Sequence, residues 1–209
     1  MQLPFSEEQF LSVFASYNDD TVIVIAALWV LTAAALVALA MRRRGSTIVS
    51  LMLVIHWAWA GAIYHLTYFA DINPAARAFG ALFLVQAVLF LWNGRLEYRW
   101  GRKPRHVVSI LFCTYALLYP VLVLASGFHW PRMPSFGVPC STTILTVGLL
   151  FAVEPGRHRW LSAIPLGWAI VGGSAAVLLG VTPDFMLLAG AGMLLLNIVA
   201  PRVLMARAA

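Results

Sequence analysis

Charged residues are scarce in this chain of 209 residues, and their scarcity excludes an ordinary soluble domain. Only 11% of the residues are charged, 62% are hydrophobic and the mean hydropathy is +0.86. Soluble domains usually have about 25% charged and about 45–50% apolar residues. Seven membrane spans of about 20 residues would use roughly 140 positions, which leaves room for short connections and for no soluble catalytic domain. We therefore predict an all-α polytopic membrane protein.

Residues that particular membrane chemistries require are also missing. No Asp, Glu, Lys or Arg lies in the middle of a predicted span, which argues against a carboxylate-driven proton pump. The single lysine, Lys103, falls in a predicted loop, so no retinal Schiff base is available. The two cysteines, Cys113 and Cys140, are predicted toward opposite sides of the bilayer and cannot act as paired thiols. Five histidines, one of them deep, do not supply the ligands of a two-haem cytochrome.

Seven apolar stretches are long enough to cross a bilayer, although the fifth is marginal. They are Thr21–Met41, Ser46–Thr67, Pro74–Trp92, His106–Ser126, Gly137–Val153, Trp160–Gly180 and Pro183–Ala200. The predicted organisation is an N-terminal segment at 1–20, a seven-helix transmembrane bundle at 21–201 and a tail at 202–209.

Basic residues predict the orientation of the bundle, because positively charged loops stay on the cytoplasmic side. Twelve of the fourteen lie in alternate connections, at 42–44, 95–105, 157–159 and 202–207. The predicted inner side carries a net charge of +10 and the outer side −4, with Asp184 counted among the outer acidic residues. We predict an outer N-terminus and a cytoplasmic C-terminus in a bacterial inner membrane. The formal charge of +6 indicates this orientation rather than a nucleic-acid partner.

The first twenty residues lack the basic region and the apolar run of a cleavable signal peptide, so we expect them to be retained. Ser6 and Gln9 have the spacing of a capping box, and Phe10, Leu11 and Phe14 recur at helical intervals. The segment is predicted to be a short amphipathic helix that lies on the outer surface or covers the bundle. A role in packing alone is the alternative.

Two patterns concern the packing of the spans. A shift of 111 residues aligns Trp57-Ala58 with Trp168-Ala169 and Gly61 with Gly172, which indicates a 3+1+3 parallel repeat or a chance similarity. Small residues also follow one face of the sixth span, where they permit close helix contact. These are Gly172, Ala176 and Gly180, and they predict packing against the seventh span or against a second copy in a homo-oligomer.

The second span carries an unusual number of polar and aromatic side chains. On an α-helical wheel, Trp57, Gly61, Tyr64 and Tyr68 form one stripe with His65 at its edge, whereas His56 points away from His65. For His56, a hydrogen bond to a neighbouring helix, a place in a polar pathway and ligation of a metal or haem remain open.

Polar residues of three spans predict a seam through the bundle, which is either a set of interhelical hydrogen bonds or a solute path. Its residues are His56, Trp57, Gln86, Asn93, Tyr115 and Tyr119. At the outer end, the start of the fifth span presents amides and hydroxyls that suit an anion or activate a thiol. We predict a vestibule there, formed by Tyr64, His65, Arg77, His129, Cys140, Thr142 and Thr143. A soft metal held by His65, His129 and Cys140 is an alternative that no C-x-x-C or H-x-x-H spacing supports.

These features favour a transporter or channel for a small solute or ion, with the bilayer and that solute as its partners. A membrane-embedded enzyme, or a thiol-handling or metal-handling protein that uses Cys140 and the histidines, is the competing hypothesis. An accessory subunit whose seam is filled by partner helices is a third. The sequence identifies no cofactor.

Several short segments carry a resemblance to a known family. They are Leu3-Pro4-Phe5 with Gln9-Phe10, Tyr17-Asn18, Tyr64-His65, Ile72-Asn73-Pro74-Ala75, Phe79-Gly80-Ala81-Leu82-Phe83, Phe136-Gly137 with Pro139-Cys140 and Thr142-Thr143, and Gly172-Gly173-Ser174-Ala175-Ala176. In these segments the chain resembles, over essentially its whole length, a bacterial family of uncharacterised multi-pass membrane proteins, the domain of unknown function 6064. Ser141 stands where other versions have a second proline after the cysteine. The resemblance implies a membrane fold and supports the outer segments, and it implies no activity.

Overall fold

The computed structural model describes residues 4–41, 45–93, 96–154 and 159–200, and these residues form seven α-helices. They are α1 (Glu7–Ala40), α2 (Gly45–Trp59), α3 (Ala76–Trp92), α4 (Pro104–Ala125), α5 (Pro139–Ala152), α6 (Ala163–Leu179) and α7 (Met186–Val199). The prediction of seven helices is confirmed. The basic positions 42–44, 95, 157–158 and 202–207, from which the orientation was largely predicted, lie outside the described residues, as does the tail at 202–209.

Helix α1 joins two segments that the sequence predicted to be separate. Its start is the predicted capping box, in which the Gln9 amide donates to Ser6 Oγ at 3.2 Å and the Ser6 amide donates to Gln9 Oε1 at 2.9 Å. The helix then continues past residue 20, and inside it only Thr21 has non-helical dihedral angles. The Thr21 hydroxyl donates to the Tyr17 carbonyl at 2.5 Å, a bond of the type that bends helices without ending them. The predicted boundary is therefore a kink.

Helix α5 is the centre of the bundle. Every residue from Ser141 to Ala152 is buried, and α5 packs against α2, α4, α6 and α7. A helix without a polar face is typical of a protein core or of a membrane span, and neighbouring helices place α5 in the core. Its 14 residues extend about 21 Å at 1.5 Å per residue, well short of a hydrocarbon core of about 30 Å.

The lengths of α3 and α5 correct the expectation that all seven helices are long enough to span a membrane. Five helical segments of the described chain are long and apolar enough: Glu7–Ala40, Gly45–Asp71, Pro104–Ala125, Arg159–Leu179 and Thr182–Val199. Helix α3 has 17 residues and α5 has 14. The apolar run of the fifth stretch is longer than its helix because Pro139 starts the helix and Val153 is already extended.

The second span changes its helical geometry halfway along. After Trp59 the chain forms a π-helical segment, Ala60–Tyr68, and then a short 3₁₀ turn, Phe69–Asp71. Gly61 and Tyr64 of the predicted stripe are buried, and so is His65 at its edge. Tyr68 departs from the stripe, since it is partly exposed and donates to Asp20 at 3.0 Å. Nine residues of π-helix are unusual, and π geometry often accompanies functional sites.

The small residues of α6 have neighbours within the chain. A Cβ atom on Gly172 would lie 3.1 Å from the Leu187 side chain of α7, and one on Gly173 would lie 2.6 Å from Leu188. Gly180 ends α6 in the left-handed conformation, with φ of +69°. The sequence predicted that this face packs either on the seventh span or on a second copy of the chain. In the structure Gly172 packs on Leu187 of α7.

Candidate functional site

A cavity of about 70 Å³ lies where α1, the π-helical segment, α5 and α6 meet. We call it the aromatic cavity, because seven of the residues in its wall are aromatic: Phe5, Phe10, Phe14, Tyr64, Phe69, Phe79 and Trp168. Small and aliphatic residues of α6, among them Gly172 and Ala176, complete the apolar part of the wall. A water-sized group needs about 10–15 Å³ on this measure, so the aromatic cavity has room for roughly five to seven such groups.

The N-terminal part of α1 forms one side of the aromatic cavity. The ring centroid of Phe10 lies 4.9 Å from that of Phe14 and 6.3 Å from that of Phe69. Further along α1, the buried Asn18 donates to the carbonyls of Pro131 and Met133 at 2.6 and 2.9 Å. These bonds attach the helix to the connection between α4 and α5. The segment predicted to lie on or cover the bundle is thus a fixed wall of the site.

Asp184 provides the polar end of the aromatic cavity. It lies in the 3₁₀ turn Thr182–Phe185, which leads into α7, and only 3% of it is exposed. Tyr119 Oη donates to Asp184 Oδ1 at 2.5 Å, and the Cys140 thiol lies beside the same carboxyl group. Tyr115 Oη holds the turn in place by donating to the Pro183 carbonyl at 2.7 Å.

The burial of Asp184 was not expected from its place in a short connection between two apolar stretches. The sequence Thr182-Pro183-Asp184 is typical of an exposed turn, but contacts with α4 and α5 cover it. The ion pairs of the described residues join Arg99 to Glu97, Lys103 and Arg105 to Glu154, and Arg132 to Glu8. None of them involves Asp184. A carboxyl group therefore faces an aromatic cavity without a cationic partner among the described residues.

His65 lies directly behind the aromatic wall. Its ring centroid is 4.9 Å from that of Trp168 and 4.8 Å from that of Phe83, and the residue is fully buried. Neither ring nitrogen of His65 has a hydrogen-bond partner among the described residues, and Trp168 lies beside the Cys140 thiol. Buried polar atoms are normally paired. The side of the site formed by the π-helix thus has unused hydrogen-bonding capacity.

The predicted vestibule is only partly assembled. Tyr64 and Cys140 are in the wall of the aromatic cavity, and His65 is behind it. Arg77 and His129 are exposed and do not line the cavity. Thr142 and Thr143 are buried in the first turn of α5, outside the wall. Among the described residues no group of three or more His, Cys, Asp or Glu side chains could hold a metal, so His65, His129 and Cys140 do not form a ligand set.

The residues of the predicted seam are bonded between helices or within them. His56 Nε2 lies 3.2 Å from Thr32 Oγ1, and Trp57 Nε1 donates to Thr146 Oγ1 at 2.9 Å. Gln86 Nε2 donates to the Leu161 carbonyl at 3.2 Å, and Asn93 Nδ2 donates to the Leu89 carbonyl of its own helix at 2.8 Å. None of His56, Trp57, Gln86 or Asn93 lines the aromatic cavity. In this conformation the seam consists of hydrogen bonds rather than of an open path.

The sequence pattern did not predict that Asp184, Trp168 and the phenylalanines of the wall belong to the site. Aromatic residues are frequent in apolar spans, so nothing in the pattern separates those of a wall from those that face lipid. For Asp184 one signal was present: it is an acidic residue within three positions of an apolar helix, and ionisable residues at such places are usually paired or functional.

The described residues form an all-helical fold with five helices long and apolar enough to cross a membrane and an apolar cavity with seven aromatic residues in its wall. The chain belongs to the family of unknown function DUF6064, which matches residues 7–209. No curated protein and no solved structure matches the chain.

Proposed function

We propose that the chain is an integral membrane protein that binds a small organic cation in the aromatic cavity and transports it across the bilayer. The observation that carries the proposal is the Asp184 carboxyl group, which is 3% exposed, lines the cavity and has no cationic partner among the described residues. Charged side chains inside a membrane protein pair with an opposite charge or mark the path of an ion. A cationic substrate would supply that charge.

The aromatic wall supports the same class of substrate. The faces of aromatic rings attract cations, and cages of such rings recognise quaternary ammonium groups. Seven aromatic residues line the cavity. Phe5 precedes α1, and the others come from α1, the π-helical segment, its following turn, α3 and α6. The volume of about 70 Å³ suits a group of the size of tetramethylammonium.

The contacts beneath the cavity favour a carrier over a channel. The seam is closed by the bond between Trp57 and Thr146 and by the contact between His56 and Thr32, so a solute that reached Asp184 would need these helices to rearrange. Carriers alternate between states that are open to opposite sides. The π-helical segment joins the closed seam to the cavity, and a change in its winding would move both.

The proposed cation can be tested through the accessibility of Cys140, which lines the aromatic cavity. We expect a small uncharged thiol reagent to modify Cys140 slowly at alkaline pH, because the neighbouring carboxyl group disfavours the thiolate. Saturating tetramethylammonium should slow this reaction at least about threefold by occupying the cavity. The rate is measured by mass spectrometry on the purified full chain. Cys113 is an internal control, because it is buried against Gly148 away from the cavity.

A neutral molecule of similar shape separates charge recognition from simple filling of the cavity. Tert-butanol at the same concentration should protect Cys140 much less than tetramethylammonium. Equal protection by the two compounds would contradict the proposed role of Asp184, and protection by neither would contradict binding in the cavity.

The surroundings of Cys140 do not favour the competing thiol chemistry. Reactive thiols lie beside cations, which stabilise the thiolate. Cys140 has a carboxyl group and aromatic rings as neighbours.

The proposed orientation has an outer N-terminus and a cytoplasmic C-terminus, in the inner membrane of a bacterium. It rests on the distribution of basic residues along the sequence. A fluorescent protein that matures only in the cytoplasm should fluoresce when it is fused to the C-terminus, and a phosphatase that is active only outside should be inactive there. The reverse result would invert the orientation and would place the aromatic cavity on the inner side.

A further inference from the structure

A second and larger cavity, of about 550 Å³, lies at the end of the bundle opposite the aromatic cavity. It is bounded by the end of α1, the start of α2, the connection between α3 and α4, the first turn of α4 and Glu154, two residues after the end of α5. We call it the polar cavity, since its wall includes Tyr98, Arg99, Lys103, His106 and Glu154. The aromatic cavity adjoins the first turn of α5, whereas the polar cavity lies beyond its last turn, so the two are separate sites.

The charges at the polar cavity favour an anion. Arg99 and Lys103 are in the wall, and the buried Arg105 donates to the Val153 carbonyl at 2.8 Å just behind it. The acidic residues of this region are Glu97, which pairs with Arg99, and Glu154, which pairs with both Lys103 and Arg105. Because one carboxylate is shared by two cations, the described residues leave an excess of positive charge here.

Two buried polar side chains in the wall make no well-formed hydrogen bond. Tyr98 is 3% exposed and His106 is 5% exposed. The Tyr98 hydroxyl lies near Ser50 and the His106 ring lies near the backbone of Gly101, but neither makes a bond of good geometry to a described residue. The Tyr98 backbone is held in position, since its amide donates to Ser46 Oγ at 3.0 Å. Leaving buried donors unpaired costs free energy, so these groups indicate a ligand that accepts hydrogen bonds.

We infer that the polar cavity binds a phosphate group. Phosphate offers several strong acceptor oxygens to ammonium, guanidinium, hydroxyl and imidazole donors, and such charge-assisted bonds are among the strongest in proteins. The phosphate belongs either to the headgroup of an anionic phospholipid or to a free phosphorylated compound. Basic pockets between helices at the inner side of a membrane commonly hold lipid headgroups. This site does not depend on the cation proposed for the aromatic cavity.

Two probes applied to the purified full chain distinguish the sources of the phosphate. Inorganic phosphate is titrated against the protein in a neutral detergent and followed by ³¹P NMR. Phosphatidylglycerol is titrated in the same detergent, with phosphatidylcholine as the reference lipid, and bound lipid is counted by native mass spectrometry. Binding of phosphatidylglycerol alone assigns a lipid headgroup, and binding of inorganic phosphate as well assigns a site open to free phosphates. Binding of neither probe would overturn the inference.

Matched variants locate the site. Lys103→Gln should raise the Kd of the probe that binds by about fivefold. Tyr98→Phe should also raise this Kd, because it removes a hydroxyl donor and leaves the volume of the side chain almost unchanged. Arg102→Gln is the control, because Arg102 is exposed, precedes Lys103 and does not line the cavity. Its effect should stay within about twofold, since exposed charges are screened by salt. Equal losses in Arg102→Gln and Lys103→Gln would show attraction to a charged surface and would overturn the assignment to the polar cavity.

Discussion

Replacing Asp184 with Asn should raise the Kd for tetramethylammonium roughly 30-fold or more, which is the usual cost of removing one member of a buried charge pair. The substitution keeps the shape of the side chain, and the amide oxygen that it introduces can still accept the hydrogen bond that Tyr119 now donates to Asp184 at 2.5 Å. The variant should therefore fold as the parent does. Binding is measured by isothermal titration calorimetry, and transport by uptake of the labelled cation into liposomes.

Asp71→Asn is the matched control for Asp184→Asn. Asp71 is exposed at the end of the 3₁₀ turn that follows the π-helical segment, close to the aromatic cavity but not in its wall. The same loss of charge there should leave the Kd unchanged within about twofold, because solvent screens it. If Asp184→Asn binds the cation as the parent does, or if both variants lose binding equally, the proposed substrate class is wrong.

Replacing Gly148 with Ala should cause a large loss of stability, because the added methyl group would meet the backbone of α4. The added Cβ would lie 2.7 Å from Cys113 Sγ and 2.9 Å from both the Cys113 amide nitrogen and the Ser109 carbonyl oxygen. Two of these three atoms belong to the backbone of α4, so no change of rotamer relieves the contact. Overpacking of this kind costs about 1–3 kcal/mol or more and should lower Tm by roughly 4–10 °C.

Gly192→Ala provides the comparison for Gly148→Ala. Gly192 is also inside a helix, α7, but it is exposed and a Cβ there would meet nothing within 4 Å. The Tm of Gly192→Ala should equal that of the parent or exceed it slightly, because Ala has a higher helix propensity than Gly. The Tm of both variants is measured in the same detergent from the fluorescence of a dye that does not react with thiols. Equal Tm values for the two variants would contradict the close packing of α4 on α5.

The helices could largely be predicted because each is a long apolar run bounded by Gly, Pro or charge. The predictions failed where the chain departs from ordinary α-helix. At Thr21 no Pro or Gly ends the helix, and the kink comes from a side-chain bond to the Tyr17 carbonyl. At Ala60–Tyr68 a pattern with a period of 3.6 residues contains no signal for π winding. There, close contact between Gly61 and Gly80 accompanies the change.

The candidate site was predictable only where polar residues stand out from an apolar background. Tyr64, His65 and Cys140 were found in this way, and the structure brings all three to one end of the bundle. Asp184 was not found, because its burial depends on Tyr119 and Cys140, which lie more than forty positions away in the sequence. Packing between distant segments leaves no local pattern from which a prediction could be made.

The complete burial of α5 has a consequence for how the chain is made. A membrane segment that enters the bilayer by itself must be long and apolar enough to be stable in lipid, and the 14 residues of α5 are too few for that. Its stability comes instead from α2 and α4, which precede it, and from α6 and α7, which are synthesised after it. In the proposed membrane topology, stable insertion of α5 would therefore depend in part on α6 and α7, which are synthesised after it. A nascent chain that stops before α6 would have α4 and α2 beside its central helix but would leave the side that α6 and α7 cover without packing.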